Sequence, residues 1–220
     1  MKALEIIKIG SNLLKEKQIN SHILDSELLL SKTLNKSREE ILLNLEQKIN
    51  LKNLITFKQY LKRRLKNEPI AYITEEKEFW SKLFVINKNT LIPRPETELL
   101  VDKLLQMYEE KNISILDIGT GSGCIILSLL SNLKKSTGVG IDISKKAIEI
   151  AKKNGKKHKL SNRVKFYIKS YERMWFKKFD LIVSNPPYIE KKDIKNLSDD
   201  IKRYEPRLAL DGGNDGLDLI

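Results

Sequence analysis

The sequence predicts an α/β protein in which a mostly parallel sheet follows a small all-α bundle. Before about residue 65, apolar side chains recur at helical intervals, with few glycines or prolines. From Ile113 onward, short apolar runs that suit strands alternate with helical patterns. Such alternation is typical of a parallel sheet covered by helices on both faces, and ligands of these sheets bind at the carboxyl ends of the strands.

Residues 1–74 are predicted to form the helical bundle. Ser37 and Glu40 have the spacing of a capping box before Ile41, and Asp25 marks a second predicted helix start. The apolar positions that define the predicted helices are Ile6, Ile9, Leu13, Leu24, Leu28, Leu29, Ile41, Leu42, Leu45, Leu54, Phe57 and Leu61. No chemistry is evident in this segment.

Residues 75–92 alternate in polarity and carry aromatic side chains, which predicts a β-hairpin linker to a third segment at 93–220. Prolines 93 and 95 then give a stiff entry to a helix that begins near Glu96. Arg94 and Glu96 could form an ion pair at the domain junction or act directly in catalysis, and the sequence leaves both roles open.

The first strand of the predicted sheet, 113–118, runs into a glycine turn, which we define as residues 119–123 (Gly-Thr-Gly-Ser-Gly). Glycines permit positive φ and leave room for a ligand against the backbone and the N-terminus of the next helix. The spacing G-x-G-x-G differs from the dinucleotide fingerprint G-x-G-x-x-G, which disfavours nicotinamide cofactors.

The second strand, 139–143, carries Asp142 near its end, about 20 residues beyond the glycine turn. Nucleotide-binding units place a ribose ligand at this position, so we predict that Asp142 accepts hydrogen bonds from ribose hydroxyls. A helix N-cap is the alternative role, but Ser144 is better placed to cap the helix predicted over 144–158.

Further strands are predicted at 164–168 and 179–184, and the second leads directly into Asn-Pro-Pro-Tyr at 185–188, the NPPY segment. The Asn185 side-chain carbonyl and the Pro186 backbone carbonyl can accept hydrogen bonds from an NH2 group, and proline stiffens the loop. The segment therefore predicts chemistry on a planar amide or amine nitrogen, with Tyr188 closing over a flat group. The alternative is that these residues only form a loop and have no role in catalysis.

The composition narrows the protein class. The net charge is +12, but its lysines suit solvated helix faces along the chain, so we do not expect direct nucleic-acid binding. One cysteine, Cys124, excludes an intrachain disulfide and fits a reducing compartment. The sequence shows no signal-peptide pattern, no apolar run long enough to span a membrane and no metal-ligand spacing. We expect a cytoplasmic monomer.

Together these motifs resemble those of class I S-adenosylmethionine-dependent methyltransferases. Within that class the chain resembles the HemK/PrmC family, the protein-(glutamine-N5) methyltransferases of peptide chain release factors, from about residue 69 to its end and more weakly before. The segments that carry the resemblance are Phe-Trp at 79–80, Phe-Val-Ile at 84–86, Leu-Ile-Pro-Arg-Pro-Glu-Thr-Glu at 91–98, Val-Ser-Asn-Pro-Pro-Tyr-Ile at 183–189 and Tyr-Glu-Pro-Arg-Leu-Ala-Leu-Asp-Gly-Gly at 204–213.

The resemblance implies a Rossmann-like sheet that binds S-adenosylmethionine, and methylation of the glutamine in the GGQ motif of release factors 1 and 2. It also implies that residues 1–74 recognise the substrate. The implied cofactor-binding residues are Gly119, Thr120, Gly121, Ser122, Gly123, Asp142 and Asn185. The implied substrate-binding residues are Asn185, Pro186, Pro187 and Tyr188, of which Asn185, Pro186 and Tyr188 are the catalytic ones.

Two features depart from the family pattern. Residues 169–173, Lys-Ser-Tyr-Glu-Arg, offer no match to the usual adenine contact, which stays unassigned. The sequence ends at Ile220 within a pattern that family members continue, so we expect an incomplete sheet in a truncated methyltransferase domain. Methylation of a different translation-protein glutamine, methylation of adenine N6 in nucleic acid, and an inactive remnant remain as alternatives.

Overall fold

The structure, a computed structural model, describes residues 1–173 and 178–219. The chain divides into two compact units, Met1–Glu75 and Glu76–Ile220. Ile220, the predicted end of the methyltransferase domain, lies just outside the described residues. Among the described residues, no helix combines the length and the apolar character that a membrane crossing requires.

The first unit, which is described throughout, contains five helices. They are α1 (Ala3–Glu16), α2 (His22–Leu34), α3 (Arg38–Leu42), α4 (Leu51–Arg64) and α5 (Ile70–Thr74). Their apolar faces enclose one core. Helix α1 packs closely on its neighbours at Gly10, where a Cβ atom would lie 2.5 Å from Ser26 Oγ and 2.8 Å from the Phe57 ring. Gly10 therefore allows this close approach.

The helix starts of the first unit test two sequence predictions. The capping box of Ser37 and Glu40 is confirmed, since each side chain accepts a hydrogen bond from the backbone N–H of the other. The prediction that a helix starts at Asp25 is wrong, because α2 begins at His22. Asp25 instead lies inside α2, where its buried carboxylate pairs with Arg64 at 2.6 Å.

The second unit begins with a hairpin and continues with alternating helices and strands. Strands β1 (Glu76–Phe79) and β2 (Lys82–Val85) pair antiparallel across a two-residue turn. Both turn residues have positive φ, 54° at Trp80 and 53° at Ser81, although neither is glycine. The elements that follow are α6 (Glu96–Met107), β3 (Ser114–Ile118), α7 (Cys124–Asn132), β4 (Thr137–Asp142), α8 (Lys145–Lys157), β5 (Val164–Ile168), β6 (Leu181–Ser184) and α9 (Asp199–Tyr204).

Strands β3 to β6 form one parallel sheet in the order β5-β4-β3-β6. The chain runs outward from β3 through β4 to β5 and then returns to the other side of β3 as β6. The strand order thus reverses between β3 and β6. Open α/β sheets bind ligands in the crevice at the carboxyl ends of the strands where the order reverses, so the fold indicates a site between the ends of β3 and β6.

Helices α7 and α8 pack on one face of this sheet. A Cβ atom at Gly138 would lie 2.6 Å from Ile126 in α7, and one at Gly140 would lie 2.6 Å from Phe166, which packs on α8 at Gly155. The sequence predicted helices on both faces. In the described part of the chain, the opposite face instead carries an apolar cluster of Leu116, Val139 and Ile141, against which Ile118 and Phe179 pack.

Candidate active site

Three strand ends bring the sequence motifs to one edge of the sheet. Ile118 at the end of β3 is in register with Ser184 at the end of β6 and with Ile141 in β4. The Ser184 hydroxyl also donates a hydrogen bond to the Ile118 carbonyl at 3.0 Å. The glycine turn and the NPPY segment therefore leave the sheet from neighbouring strands, at the point where the strand order reverses.

The glycine turn has the geometry of a ligand cradle. Gly119, Gly121 and Gly123 have φ values of 68°, 55° and 80°, a region that other residues adopt only with strain. A Cβ atom at Gly119 would meet no atom within 4 Å, and one at Gly121 would meet only the Gly119 carbonyl at 3.8 Å, so this side of the turn is open. This open backbone leaves room for a ligand to approach the turn closely.

The other residues of the glycine turn face inward. A Cβ atom at Gly123 would lie 3.1 Å from Leu127 and 3.3 Å from Phe166, so this glycine allows close packing. The side chains of Thr120 and Ser122 are buried. A role of these two residues in cofactor binding would therefore fall to their backbone groups.

Asp142 is held by the backbone of two turns. Its Oδ2 accepts a hydrogen bond from the Gly121 N–H at 3.0 Å, and its Oδ1 accepts one from the Ser144 N–H at 2.8 Å. Burial raises the pKa of the Asp142 carboxyl, and these N–H donors partly oppose the shift. A carboxylate has about four acceptor positions, so room remains for two hydroxyl donors. Ser144 caps α8 by accepting from the Ala147 N–H, as the sequence predicted.

Asp117, which the sequence analysis did not single out, lies beneath the glycine turn. Its Oδ2 accepts a hydrogen bond from the Thr120 hydroxyl at 2.6 Å, while its buried Oδ1 has no partner among the described residues. Burial raises the pKa of this carboxyl to about 7, against the lowering effect of Thr120. The alternation of β3, which places Asp117 on the face that α7 covers, was the available sequence signal.

The NPPY segment is partly exposed. Asn185, Pro186 and Pro187 are half-buried, and Tyr188 is 63% exposed. Within residues 1–173 and 178–219, the Asn185 side-chain amide makes no hydrogen bond, so its acceptor and donor groups are available to a ligand. The exposed Tyr188 ring can pack against a flat group.

A second segment, residues 210–218, packs against the NPPY segment. The Ile189 N–H donates to the Leu210 carbonyl at 3.1 Å, and the Gly212 N–H donates to the Ile189 carbonyl at 2.9 Å. A Cβ atom at Gly212 would lie 2.7 Å from the Pro187 carbonyl oxygen. A Cβ atom at Gly216 would lie 2.6 Å from the Tyr188 carbonyl oxygen. These glycines allow the close backbone contact that supports Pro187 and Tyr188.

The buried Glu205 carboxylate joins this region to the proline-rich segment before α6. It accepts hydrogen bonds from the Ile92 N–H at 3.2 Å and from the Arg94 guanidinium. Arg94 therefore has Glu205 as its ion-pair partner, rather than the Glu96 that the sequence analysis considered. Burial raises the pKa of the Glu205 carboxyl, and Arg94 opposes the shift.

Two exposed apolar side chains lie next to Asp142. Ile143 follows it directly, and Ile168 ends the neighbouring strand β5, in register with Asp142. The Lys169 N–H donates to the Asp142 carbonyl at 3.0 Å, which keeps the two strand ends together. The sequence left the adenine contact unassigned, and this pair offers an apolar surface on which a flat base could lie.

The part of the chain that carries the parallel sheet and the glycine turn is a methyltransferase domain, as one family model shows. Residues 109–205 match a family model described as a methyltransferase domain, and residues 5–74 match one described as the PrmC N-terminal domain. The release factor glutamine methyltransferase of Buchnera aphidicola is 41% identical, over 100% of this chain and 79% of its own. The release factor glutamine methyltransferase of Caulobacter vibrioides is 38% identical, over 93% of this chain and 71% of its own length. The chain belongs to the release factor glutamine methyltransferase family.

Longer relatives match as well. A protein named bifunctional methyltransferase from Rickettsia conorii is 36% identical over 97% of this chain and 46% of its own length, so the chain spans about half the length of such relatives. Among solved structures, a human methyltransferase 10 domain containing protein aligns over 51% of this chain and 59% of its own, at 21% identity and a TM-score of 0.42.

Proposed function

We propose that this protein transfers a methyl group from S-adenosylmethionine to the side-chain amide nitrogen of the GGQ glutamine in peptide chain release factors 1 and 2. One observation carries the proposal: Asn185 follows β6 directly, beside the open glycine turn that follows β3, and among the described residues its side-chain amide has no hydrogen-bond partner. The residues that suit a cofactor and those that suit an amide acceptor are thus neighbours. Family membership supports the substrate.

In this proposal the backbone around Gly119 and Gly121 holds the methionine end of the cofactor. Asp142 accepts hydrogen bonds from the ribose hydroxyls, and Ile143 with Ile168 contacts the adenine ring. When bound, the cofactor supplies an electrophilic methyl group on its sulfonium. The buried Asp117 has an indirect role. It accepts a hydrogen bond from the Thr120 hydroxyl and so fixes the position of Thr120 in the glycine turn.

The NPPY segment orients the acceptor amide. An amide nitrogen is a poor nucleophile because its lone pair is delocalised, so it must be held by its hydrogens. The Asn185 side-chain carbonyl and the Pro186 backbone carbonyl accept those two hydrogens, and Tyr188 packs on the amide plane. No general base is required, since the nitrogen becomes far more acidic once it is alkylated and can lose its proton to water.

The first unit is the substrate-recognition module in this proposal. Its match to the PrmC N-terminal domain supports that role. Ile9 and Leu13, one turn apart on α1, and Ile23 with Leu24 on α2 are exposed apolar side chains that a protein partner could cover. Because release factors act in translation, we place the reaction in the cytoplasm.

A concentration of positive charge favours a second candidate substrate. Between residues 143 and 170 the chain has ten lysines and arginines and one acidic residue, so positive charge is concentrated in this stretch. Exposed lysines lie along α8 and β5, among them Lys152, Lys156 and Lys165. This surface favours an adenine amine in nucleic acid as the alternative acceptor. Binding of RNA that weakens steeply with added salt would support it, and the absence of such binding would contradict it.

The deciding experiment is a methyl-transfer assay with this protein, S-adenosylmethionine and unmethylated release factor, read by mass spectrometry. We expect one methyl group on the glutamine of the Gly-Gly-Gln loop. Asn185→Ala should abolish the gain, and Asn162→Ala, the same change in an exposed turn, should leave it intact. If the wild-type protein binds the cofactor but leaves the release factor unmethylated, the proposed substrate is wrong.

A further inference from the structure

The Asn154 side chain links the hairpin to the glycine turn. Asn154 lies fully buried in α8, and its Oδ1 accepts a hydrogen bond from the Val85 N–H at 2.7 Å. Its Nδ2 donates to the Val85 carbonyl at 2.9 Å and to the Ser122 carbonyl at 2.8 Å. One side chain thus joins α8, the end of β2 and the fourth residue of the glycine turn.

An amide is the side chain that this position requires. Both Nδ2 hydrogens and the Oδ1 acceptor are used, so Asn154 has no free donor. An aspartate would have no hydrogen to donate and would leave the Val85 and Ser122 carbonyls without their partner. An alanine would lose all three bonds. Because the site is buried, water would not replace them without cost.

The bond to Ser122 adds to the contacts that hold the glycine turn. The turn is also held by the Thr120 N–H, which donates to the Ile141 carbonyl, and by the Gly121 N–H, which donates to Asp142. Three glycines in five residues give this backbone high conformational entropy when it is free. A ligand that binds a preorganised turn does not have to order it, so a fixed turn binds more tightly.

We propose that Asn154 is a positioning residue for cofactor binding: by fixing the Ser122 carbonyl against α8 and β2, it keeps the glycine turn in its open, ligand-ready geometry. The inference rests on the proposed function, because it assumes that this turn holds S-adenosylmethionine. Asn154 acts through its hydrogen bond to Ser122, because its own side chain is fully buried.

Lys157, the last residue of α8, and His158, which follows it, separate hairpin docking from support of the turn. Lys157 forms an ion pair with Glu76, and His158 packs its ring on Phe84 with the ring centroids 4.7 Å apart. Both contacts hold the hairpin, and neither includes the glycine turn. His158→Ala is therefore a matched control, since it weakens hairpin docking but leaves the bond to Ser122 in place.

The test is a calorimetric titration of S-adenosylmethionine into the wild-type protein, Asn154→Ala and His158→Ala. Loss of the three bonds should weaken binding by about tenfold or more, whereas His158→Ala should stay within about twofold. In the methyl-transfer assay, Asn154→Ala should raise the KM for the cofactor and change kcat at saturating cofactor much less. Unchanged affinity in Asn154→Ala, or an equal loss in His158→Ala, would overturn the inference.

Hydrogen–deuterium exchange keeps the test independent of the proposed function. In the protein without ligand, amides of residues 119–123 should exchange faster in Asn154→Ala than in the wild-type protein or in His158→Ala. Equal rates would contradict the inference. A wild-type protein that binds no S-adenosylmethionine would instead contradict the proposed function. If Asn154→Ala does not fold, Asn154→Ser replaces it, with the same direction expected in both measurements.

Discussion

Arg94 and Glu205 form an ion pair that joins two motifs 111 residues apart in the chain. The Glu205 side chain is 1% exposed and that of Arg94 is 32% exposed, so the carboxylate is the buried partner. Glu205 precedes the turn Arg207–Ala209, which leads into the segment that packs on the NPPY residues. The pair therefore connects the proline-rich entry to α6 with the segment that packs on the NPPY residues.

Glu205→Gln tests this relationship. The variant keeps the shape but loses the charge, and the free energy of unfolding should fall by about 1.5–3 kcal/mol in denaturant titration. Methyl transfer should slow while cofactor affinity holds, because the change lies on the acceptor side. Arg207→Gln, which breaks the exposed pair with Asp211, is the control and should change little. A cofactor affinity that falls with the rate would contradict this assignment.

Gly212→Ala should damage catalysis without damaging cofactor binding. The new Cβ atom would lie 2.7 Å from the Pro187 carbonyl oxygen and 2.9 Å from the Tyr188 Cα, so the NPPY backbone must shift. A displacement of about 1 Å can cost on the order of 100-fold in rate, and we expect a loss of at least about tenfold. Steady-state kinetics with Asn214→Ala, an exposed change in the same segment, gives the comparison. Wild-type turnover in Gly212→Ala would show that the contact is unimportant.

Ser81→Gly should stabilise the second unit. Ser81 has a φ of 53°, a conformation that costs a side-chain-bearing residue about 1–2 kcal/mol and glycine much less. After the entropy cost of an added glycine, the net gain should be about 0.5–1 kcal/mol, seen as a higher thermal midpoint. Ser161→Gly, at a residue without positive φ, should give no gain. A lower midpoint for Ser81→Gly would mean that the Ser81 side chain contributes more than its strain costs.

Asp117 should make the stability of the unliganded protein depend on pH. Burial raises the pKa of Asp117 from 3.8 to about 7, so the folded state holds a proton that the unfolded state releases. The resulting stability is present below about pH 4 and is lost as the pH rises through about 7, at up to about 1.4 kcal/mol per pH unit. Asp117→Asn carries no such proton, so the difference in thermal midpoint between the variant and the wild-type protein should grow from pH 5 to pH 8. A constant difference would contradict the raised pKa.

Helix caps and strands were predicted well from local sequence patterns, because they depend on residues that are close together in the chain. The Ser37 and Glu40 capping box and the Ser144 cap depend on residues within three positions, and both formed as predicted. The strand at 164–168 was confirmed with the same bounds. The meeting of Asp142 and Asn185 at one sheet edge followed from the rule that parallel strands end together.

Features that depend on distant partners could not be predicted. Asn154 looks like any polar residue of a basic helix until Val85 and Ser122 are placed beside it. The sequence around Asp25 resembles a helix start, because an acidic residue that caps a helix and one that pairs with a buried arginine look alike in sequence. Ile9 fits the helical period of the apolar face of α1 but is exposed, because the period alone does not indicate how wide the buried face is.

The adjacency of Ile118 and Ser184 has a consequence for how this protein can change over time. The separation of the glycine turn and the NPPY segment is set by one strand spacing, about 4.8 Å, although these two residues are 66 positions apart in the chain. Loops within that stretch, apart from the glycine turn itself, can therefore lengthen or shorten without altering this separation. Insertions there should be far better tolerated than any change that shifts the pairing of β3 with β6 by one residue.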